Sequence, residues 1–269
     1  MLMYSEARAK ELSHHLQEVQ AQIAAASQDL SAVRARTSAL PELTVVTKFF
    51  PAEDVAALYD MGVRSVGENR DQEASGKATQ LSLHAHSDDP LRWSFIGQLQ
   101  TNKAKSVVKY AREVQSVDRR SLAESLSKAY LNQLKRYEAG EGPAPASLEN
   151  GGLKCLIQVG LNPQAPSTAG QASLGARGGA SPEDTLELAH QISRLPGLVL
   201  GGVMAVAPLD QSADVAFERL YKTAEKLWGD FPEARTISAG MSSDLEAAIR
   251  WGSTNVRVGS HIMGKRPML

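Results

Sequence analysis

A chain of 269 residues with 29 basic and 30 acidic side chains carries a formal charge of −1, which excludes any general field for nucleic acid or an anionic membrane surface. Its one cysteine, Cys155, excludes an internal disulfide, and no apolar run approaches the ~20 residues that span a bilayer. The start "MLMYSEARAKELSHH" lacks the apolar core of a signal peptide, so the composition predicts a cytoplasmic protein.

The first predicted element is an amphipathic helix over about residues 5–30, where Leu12, Leu16, Val19, Ile23 and Ala26 recur at helical spacing. From Leu43 onward, short β-like runs alternate with longer helix-period segments. The strand candidates in chain order are "LTVVTK", "RSVGEN", "WSFIGQ", "EVQSVD", "KCLIQVGL", "LVLGGVMAV", "ARTISAG" and "NVRVGS". A helical pattern follows each of the first seven, whereas only "HIMGKRPML" follows the eighth, leaving the N-terminal helix to cover the gap. Eight such units predict an α/β fold, a single (β/α)8 TIM barrel over residues 1–269, with residues 1–40 packing on its outside. A doubly wound open sheet is the competing arrangement, but no G-x-G-x-x-G follows the first strand. Three stretches rich in Gly, Pro, Ala and Ser read as weakly ordered loops: "SLHAHSDDPLR", "EAGEGPAPASLENGG" and "NPQAPSTAGQASLGARGGASP". The third follows strand five at the face where barrels place their active sites.

Lys48 stands at the C-terminal end of the first strand, after Val45 and Val46. Partial burial there disfavours an ammonium and leaves a free amine to attack a carbonyl and form a Schiff base. After the seventh strand, Ser238, Gly240, Met241, Ser242 and Ser243 lead into "DLEAAIRWG", so serine hydroxyls and backbone N–H groups converge as a phosphate cradle. The eighth strand adds Gly259 and Ser260, and barrels commonly hold phosphate between the loops after strands seven and eight. On this reading Lys48 and the cradle face one another across the barrel mouth, and the ligand is a phosphorylated aldehyde. Arg257, two residues before Gly259, shares its face and suits a heteroaromatic ring nitrogen. Pyridoxal 5′-phosphate (PLP) combines aldehyde, phosphate and ring nitrogen.

The motifs "VVTKFFPAEDV", "GENRDQEA", "WSFIGQLQTNKAK", "GGVMAV", "SAGMSSDLEAAI" and "GSTNVRVGSHIMGKR" resemble, in order, those of the YggS/PROSC family of PLP homeostasis proteins over residues 43–266. The resemblance implies a barrel like the N-terminal domain of alanine racemase, PLP fold type III-like, that binds the cofactor without an established reaction. It places Lys48 on the cofactor as the Schiff-base lysine, Asn69 near the 3-hydroxyl, and Arg257 at the ring nitrogen. Ser242, the Met241 backbone, Gly259 and Ser260 fall on the phosphate, with Ser238 opening the same loop and Met204 lining the pocket. An arginine at the ring nitrogen leaves it unprotonated and weakens the cofactor as an electron sink. The family's W-H-F-I-G is here "WSFIG", so no role passes to Ser94, and only Arg177, Gly178 and Gly179 resemble the end of the family's loop after strand five.

Other signals carry less. "GSHIMGKR" approaches a P-loop, but Arg266 replaces the metal-binding hydroxyl. His14–His15 and His84–His86 bring no further ligands at metal spacing, Cys155 reads as a buried small hydrophobe, and "NKAKSVVKYAR" as a solvated helix face. The expected function is a non-catalytic, monomeric carrier of PLP that serves PLP-dependent apoenzymes and touches neither nucleic acid nor membrane. The alternative, an amino-acid racemase, needs a second acid/base group opposite the lysine, and no strand end offers an obvious tyrosine.

Overall fold

The β-branched runs pair, strand on neighbouring strand, into a closed ring of eight parallel strands in chain order; this computed structural model describes residues 2–28, 31, 33, 39–86, 88–162 and 178–266. The strands are β1 (Glu42–Val46), β2 (Ser65–Glu68), β3 (Arg92–Phe95), β4 (Ala111–Val117), β5 (Leu153–Gln158), β6 (Leu198–Met204), β7 (Thr236–Ser238) and β8 (Asn255–Val258). Each lies where the sequence predicts it, with its motif residues at or just beyond its C-terminal end. The ring closes where β1 meets β8, in register from Glu42 opposite Asn255 to Val45 opposite Val258.

The helices between strands are α2 (Ala52–Asp60), α3 (Asp71–Leu81), α4 (Ala104–Val107), α5 (Arg120–Glu138), α6 (Thr185–Ser193), α7 (Ala213–Asp230) and α8 (Leu245–Arg250). The N-terminal helix α1 (Glu6–Ala26) starts where the Ser5 hydroxyl accepts the Arg8 N–H at 3.2 Å. It buries Leu12, Leu16, Val19 and Ile23, with Ala26 half-buried at the end of the same face. Each fully buried leucine contributes about 2 kcal/mol of apolar burial. That face seats against α2, α8 and a helical turn, α9 (Ser260–Met263). Thus the eighth strand does have a helix of its own, but one turn cannot shield it, and α1 supplies the missing outer layer. Arg8 fastens the seam, bonding Asp54 of α2 at 2.8 Å and the Met263 carbonyl at 2.9 Å, while His15 Nδ1 lies 3.0 Å from the Ile262 carbonyl.

One loop expectation and one helix expectation need correction. The stretch "EAGEGPAPASLENGG" is tied down, because Gln133 donates to the Pro143 carbonyl at 2.6 Å and Ala146 N–H to Val108 O at 3.1 Å, with Ser147 wholly buried. The run "NKAKSVVKYAR" is not one helix face: it passes through a 3-10 turn (Thr101–Lys103) and α4, then enters β4 at Ala111. Lys105 and Lys109 within it are exposed. Cys155 is wholly buried on β5, and burial pushes its thiol pKa up, as expected of an inert core residue. Of the loop after β5, residues 163–177, Arg177 included, lie outside the described residues. No helix among the described residues is long and apolar enough to cross a membrane.

Candidate functional site at the C-terminal rim

A parallel ring opens all its C-terminal strand ends on one face, and every predicted site residue sits there. Lys48 follows β1, Asn69 follows β2, Met204 ends β6, Ser238 ends β7, Met241 and Ser242 come next, and Arg257 lies on β8 before Gly259 and Ser260. One expected relation is wrong. Because β8 pairs with β1, Lys48 and the Gly259–Ser260 segment are neighbours around the rim, not opposed across the mouth. A Cβ placed on Gly259 would come within 3.2 Å of the Val46 carbonyl oxygen, so the two strand ends approach closely there.

Lys48 is half-buried, and its amine has no hydrogen bond or ion pair among the described residues. Burial, joined by the charges of Arg266 and Arg70, pulls its pKa below the ordinary lysine value, while Glu68 and Glu73 oppose the shift. All three cations collect at one ring: Lys48 Nζ lies 5.8 Å from the Phe49 centroid, and the guanidinium carbons of Arg70 and Arg266 at 4.9 and 4.5 Å. The result is an electropositive rim around an amine that gives up its proton readily.

Asn69 Oδ1 is buried without a hydrogen-bond partner among the described residues. The next strand end fixes the backbone beneath it: a Cβ on Gly97 would fall 2.8 Å from Asn69 Cα, closer than packed atoms allow. Gly97→Ala should therefore destabilise the fold by about 2 kcal/mol, and the melting temperature should drop by roughly 4–8 °C in a thermal melt.

Arg257 is buried in the barrel interior. Its guanidinium donates to Ser238 Oγ at 2.6 Å and to the Ala205 carbonyl at 2.8 Å, which leaves three of its five donors uncommitted. Burial lowers its pKa to about 10, so it stays charged at neutral pH. Ser238 is itself fully buried, accepting from Arg257 and lying 2.7 Å from Gln115 Oε1 and 3.1 Å from Asn255 Oδ1. Its hydroxyl is thus a strut under Arg257. The network goes on through Asn255 to Thr44 at 3.0 Å and through Gln115 to Glu113 at 2.6 Å, and Glu113 also accepts from Ser94 and Lys154. Thr44, Glu113, Gln115 and Asn255 were not singled out from sequence, and Ser94 was noted there but given no role. The available signal was polar residues at alternate positions of a strand, as in "EVQS" and "NVRV".

At the cradle, Ser242 Oγ and Ser260 Oγ stand 3.4 Å apart, and the backbone N–H groups of Ser242, Ser243 and Ser260 find no acceptor among the described residues. The Met241 N–H does have one, Asp244 Oδ1 at 2.6 Å. Met204 is buried and its carbonyl accepts the Val159 N–H at 2.8 Å. The side chain of Gln158 donates to the Gly178 carbonyl, which brings that end of the loop to the rim. His84 bonds Asp60 and His14 pairs with Glu18, and no group of three or more potential ligands among the described residues could hold a metal ion.

The sequence profile described as "Alanine racemase, N-terminal domain" matches residues 21–267. A pyridoxal phosphate homeostasis protein of Mycobacterium tuberculosis is 37% identical over 265 residues, covering 96% of this chain and 94% of that protein. A crystal structure of an unknown protein from Bifidobacterium adolescentis superposes with a TM-score of 0.75 at 26% identity, covering 97% of this chain and 98% of that one. PipY of Synechococcus elongatus, solved with PLP bound, superposes with a TM-score of 0.69 at 29% identity, covering 94% of this chain and 100% of that one.

Proposed function

Because the chain belongs to the family of pyridoxal phosphate homeostasis proteins, built on the alanine racemase N-terminal domain, we propose that it binds PLP at Lys48 and helps to hold the cell's supply of it. The observation that carries this reading is the Lys48 amine, half-buried, unpartnered among the described residues and next to two guanidinium groups. Bound PLP supplies an aldehyde that condenses with such an amine to a Schiff base. Burial and the neighbouring cations lower the pKa of the amine, so more of it is in the reactive, neutral form than in an ordinary lysine.

The remaining rim residues fit the rest of the cofactor. Ser242 and Ser260 offer a phosphate their hydroxyls and N–H groups that have no acceptor among the described residues, and Gly259 lies beside Ser260. Asn69 Oδ1, buried and unpartnered among the described residues, suits a ring hydroxyl. Arg257, braced by Ser238, has donors left for a ring nitrogen, and Met204 forms wall. For the Met241 N–H to join the phosphate site, Asp244 must release it. A charged arginine at the ring nitrogen disfavours protonation there, so these residues hold PLP better than they would stabilise a carbanion. A racemase also needs a second acid/base group opposite the lysine, and the rim residues named here supply no tyrosine, which favours a carrier over an amino-acid racemase. On the same reading the protein works as a cytoplasmic monomer that passes PLP to apoenzymes.

The test is direct. Purified protein mixed with PLP should gain a visible absorption band, and after borohydride reduction the pyridoxyl group should map to the Lys48 peptide. A protein that stays colourless, or a label on another lysine, would sink the proposal. The loaded protein incubated with L-alanine should yield no D-alanine. Sustained turnover would replace the carrier with a racemase.

A further inference from the structure

Lys48 stands between two residues whose backbones are fastened from outside the barrel by α3. We propose that Glu73 and Lys77 are positioning residues for Lys48, clamping the 47–49 turn so that the amine is held half-buried at the rim. The inference rests on the reading of Lys48 as the cofactor's anchor.

The turn is not one the chain adopts unaided. Phe49 has φ 72°, in the left-handed region that aromatic residues avoid, and no glycine relieves it. Its N–H donates to Glu73 Oε1 at 2.5 Å. On the other side of Lys48, the Thr47 carbonyl accepts from Lys77 Nζ at 2.8 Å, and the Thr47 hydroxyl donates to Glu68 Oε1 at 2.7 Å. Lys77 completes the clamp with ion pairs of 2.7 Å to both Glu68 and Glu73, so its three donors are all spent on this cluster. Glu73 and Lys77 are four residues apart on α3 and present to the turn together. Lys77 is buried, an unusual position for a lysine, and Glu68 Oε2 beside it is buried without a hydrogen-bond partner among the described residues. A charged cluster this costly to bury fits a place where backbone geometry must be held.

Charge and geometry make opposite predictions for Lys48. The charged groups that act on it are Arg266 and Arg70, which lower its pKa, and Glu68 and Glu73, which raise it. Losing the Glu73 charge alone should therefore lower the Lys48 pKa further. Losing the clamp should raise it, because a relaxed turn returns the amine to water.

The ligand-free protein can be labelled with trace acetic anhydride across a pH series, and the acetylation of the Lys48 peptide followed by mass spectrometry. Glu73→Gln keeps an acceptor for the Phe49 N–H without the charge, and its Lys48 midpoint should lie at or below that of the wild type. Glu73→Ala removes both, and its midpoint should rise by about one pH unit toward that of an ordinary lysine. PLP capture by Glu73→Ala should slow roughly tenfold, in proportion to the lost free amine. Should Glu73→Ala not fold, Glu73→Ser, too short to reach Phe49, takes its place. Midpoints that move together in the two variants, or an unmoved midpoint in Glu73→Ala, would overturn the clamp. A wild type that labels as described yet fails to take up PLP would instead overturn the proposed function and leave the clamp standing.

Discussion

Replacing Lys48 with alanine is expected to abolish the visible band that the wild-type protein gains with PLP, while the fold stays intact. The side chain is half-buried but makes no hydrogen bond or ion pair among the described residues, so its loss orphans nothing. Stability should change by no more than about 0.5 kcal/mol in a denaturant titration. Lys48→Arg sharpens the test, because a guanidinium keeps the charge yet does not deprotonate in the working range. Such a variant should still hold PLP weakly through its phosphate and form no borohydride-stable adduct. The pH dependence follows from the direction of the lysine shift. Free amine accumulates as pH rises through the Lys48 pKa, so capture by the wild type should accelerate with pH and level off below the pH at which an ordinary lysine does. Arg266→Gln removes one cation that lowers that pKa and should move the profile to higher pH. A capture profile that follows an ordinary lysine would show that the rim does not tune this amine.

Lys77→Met should be the most destabilising single change in the site, costing about 3–5 kcal/mol at neutral pH in a chemical denaturation. Removing the ammonium leaves the Thr47 carbonyl without that donor and Glu68 as a buried carboxylate without its counter-charge. Burial already raises the Glu68 pKa, chiefly against the pull of Lys77 and the Thr47 hydroxyl. Without Lys77 it rises further. A carboxyl whose pKa is higher folded than unfolded binds its proton more tightly in the native state. Its stabilising contribution is therefore complete below the ordinary carboxylate range and is lost as pH climbs through the raised value. The deficit of Lys77→Met relative to wild type should accordingly shrink on acidification from neutrality. An equal deficit at both pH values would assign the loss to packing around the lysine stem and not to the stranded carboxylate.

The strands were legible because eight β-branched runs alternate with helical periods, and a parallel strand ends where its motif turns polar, as at Lys48, Asn69 and Ser260. Position along a strand therefore located the rim. Position around the ring did not follow as easily: Lys48 and Ser260 look remote in sequence, and only closure of β1 on β8 makes them neighbours. Glu73 and Lys77 were hidden for a different reason. On a helix, a glutamate four residues before a lysine reads as a solvated pair, and nothing local announces that its face is turned to a strained turn. Asp244 was likewise invisible as the acceptor of the Met241 N–H, because an aspartate before a helical run reads as an ordinary start signal. The polar floor beneath Arg257 was missed because attention to apolar periodicity passes over the polar residues between.

The seam between β1 and β8 has a consequence for biosynthesis. Thr44 and Asn255, bonded across it, are 211 residues apart, and the N-terminal α1 packs on α9 beyond β8. A chain emerging from the ribosome N-terminus first must keep its first strand unpaired on one side until the eighth has been made. Closing so long a loop adds little entropy cost over a shorter one, but it orders events. Lys48 is translated about two hundred residues before Arg257, Gly259 and Ser260, so the rim is whole only after the ring has shut. On the proposed function, nascent chains carry an accessible amine long before they carry a cradle, and selective retention of a phosphorylated aldehyde would belong to the closed ring alone.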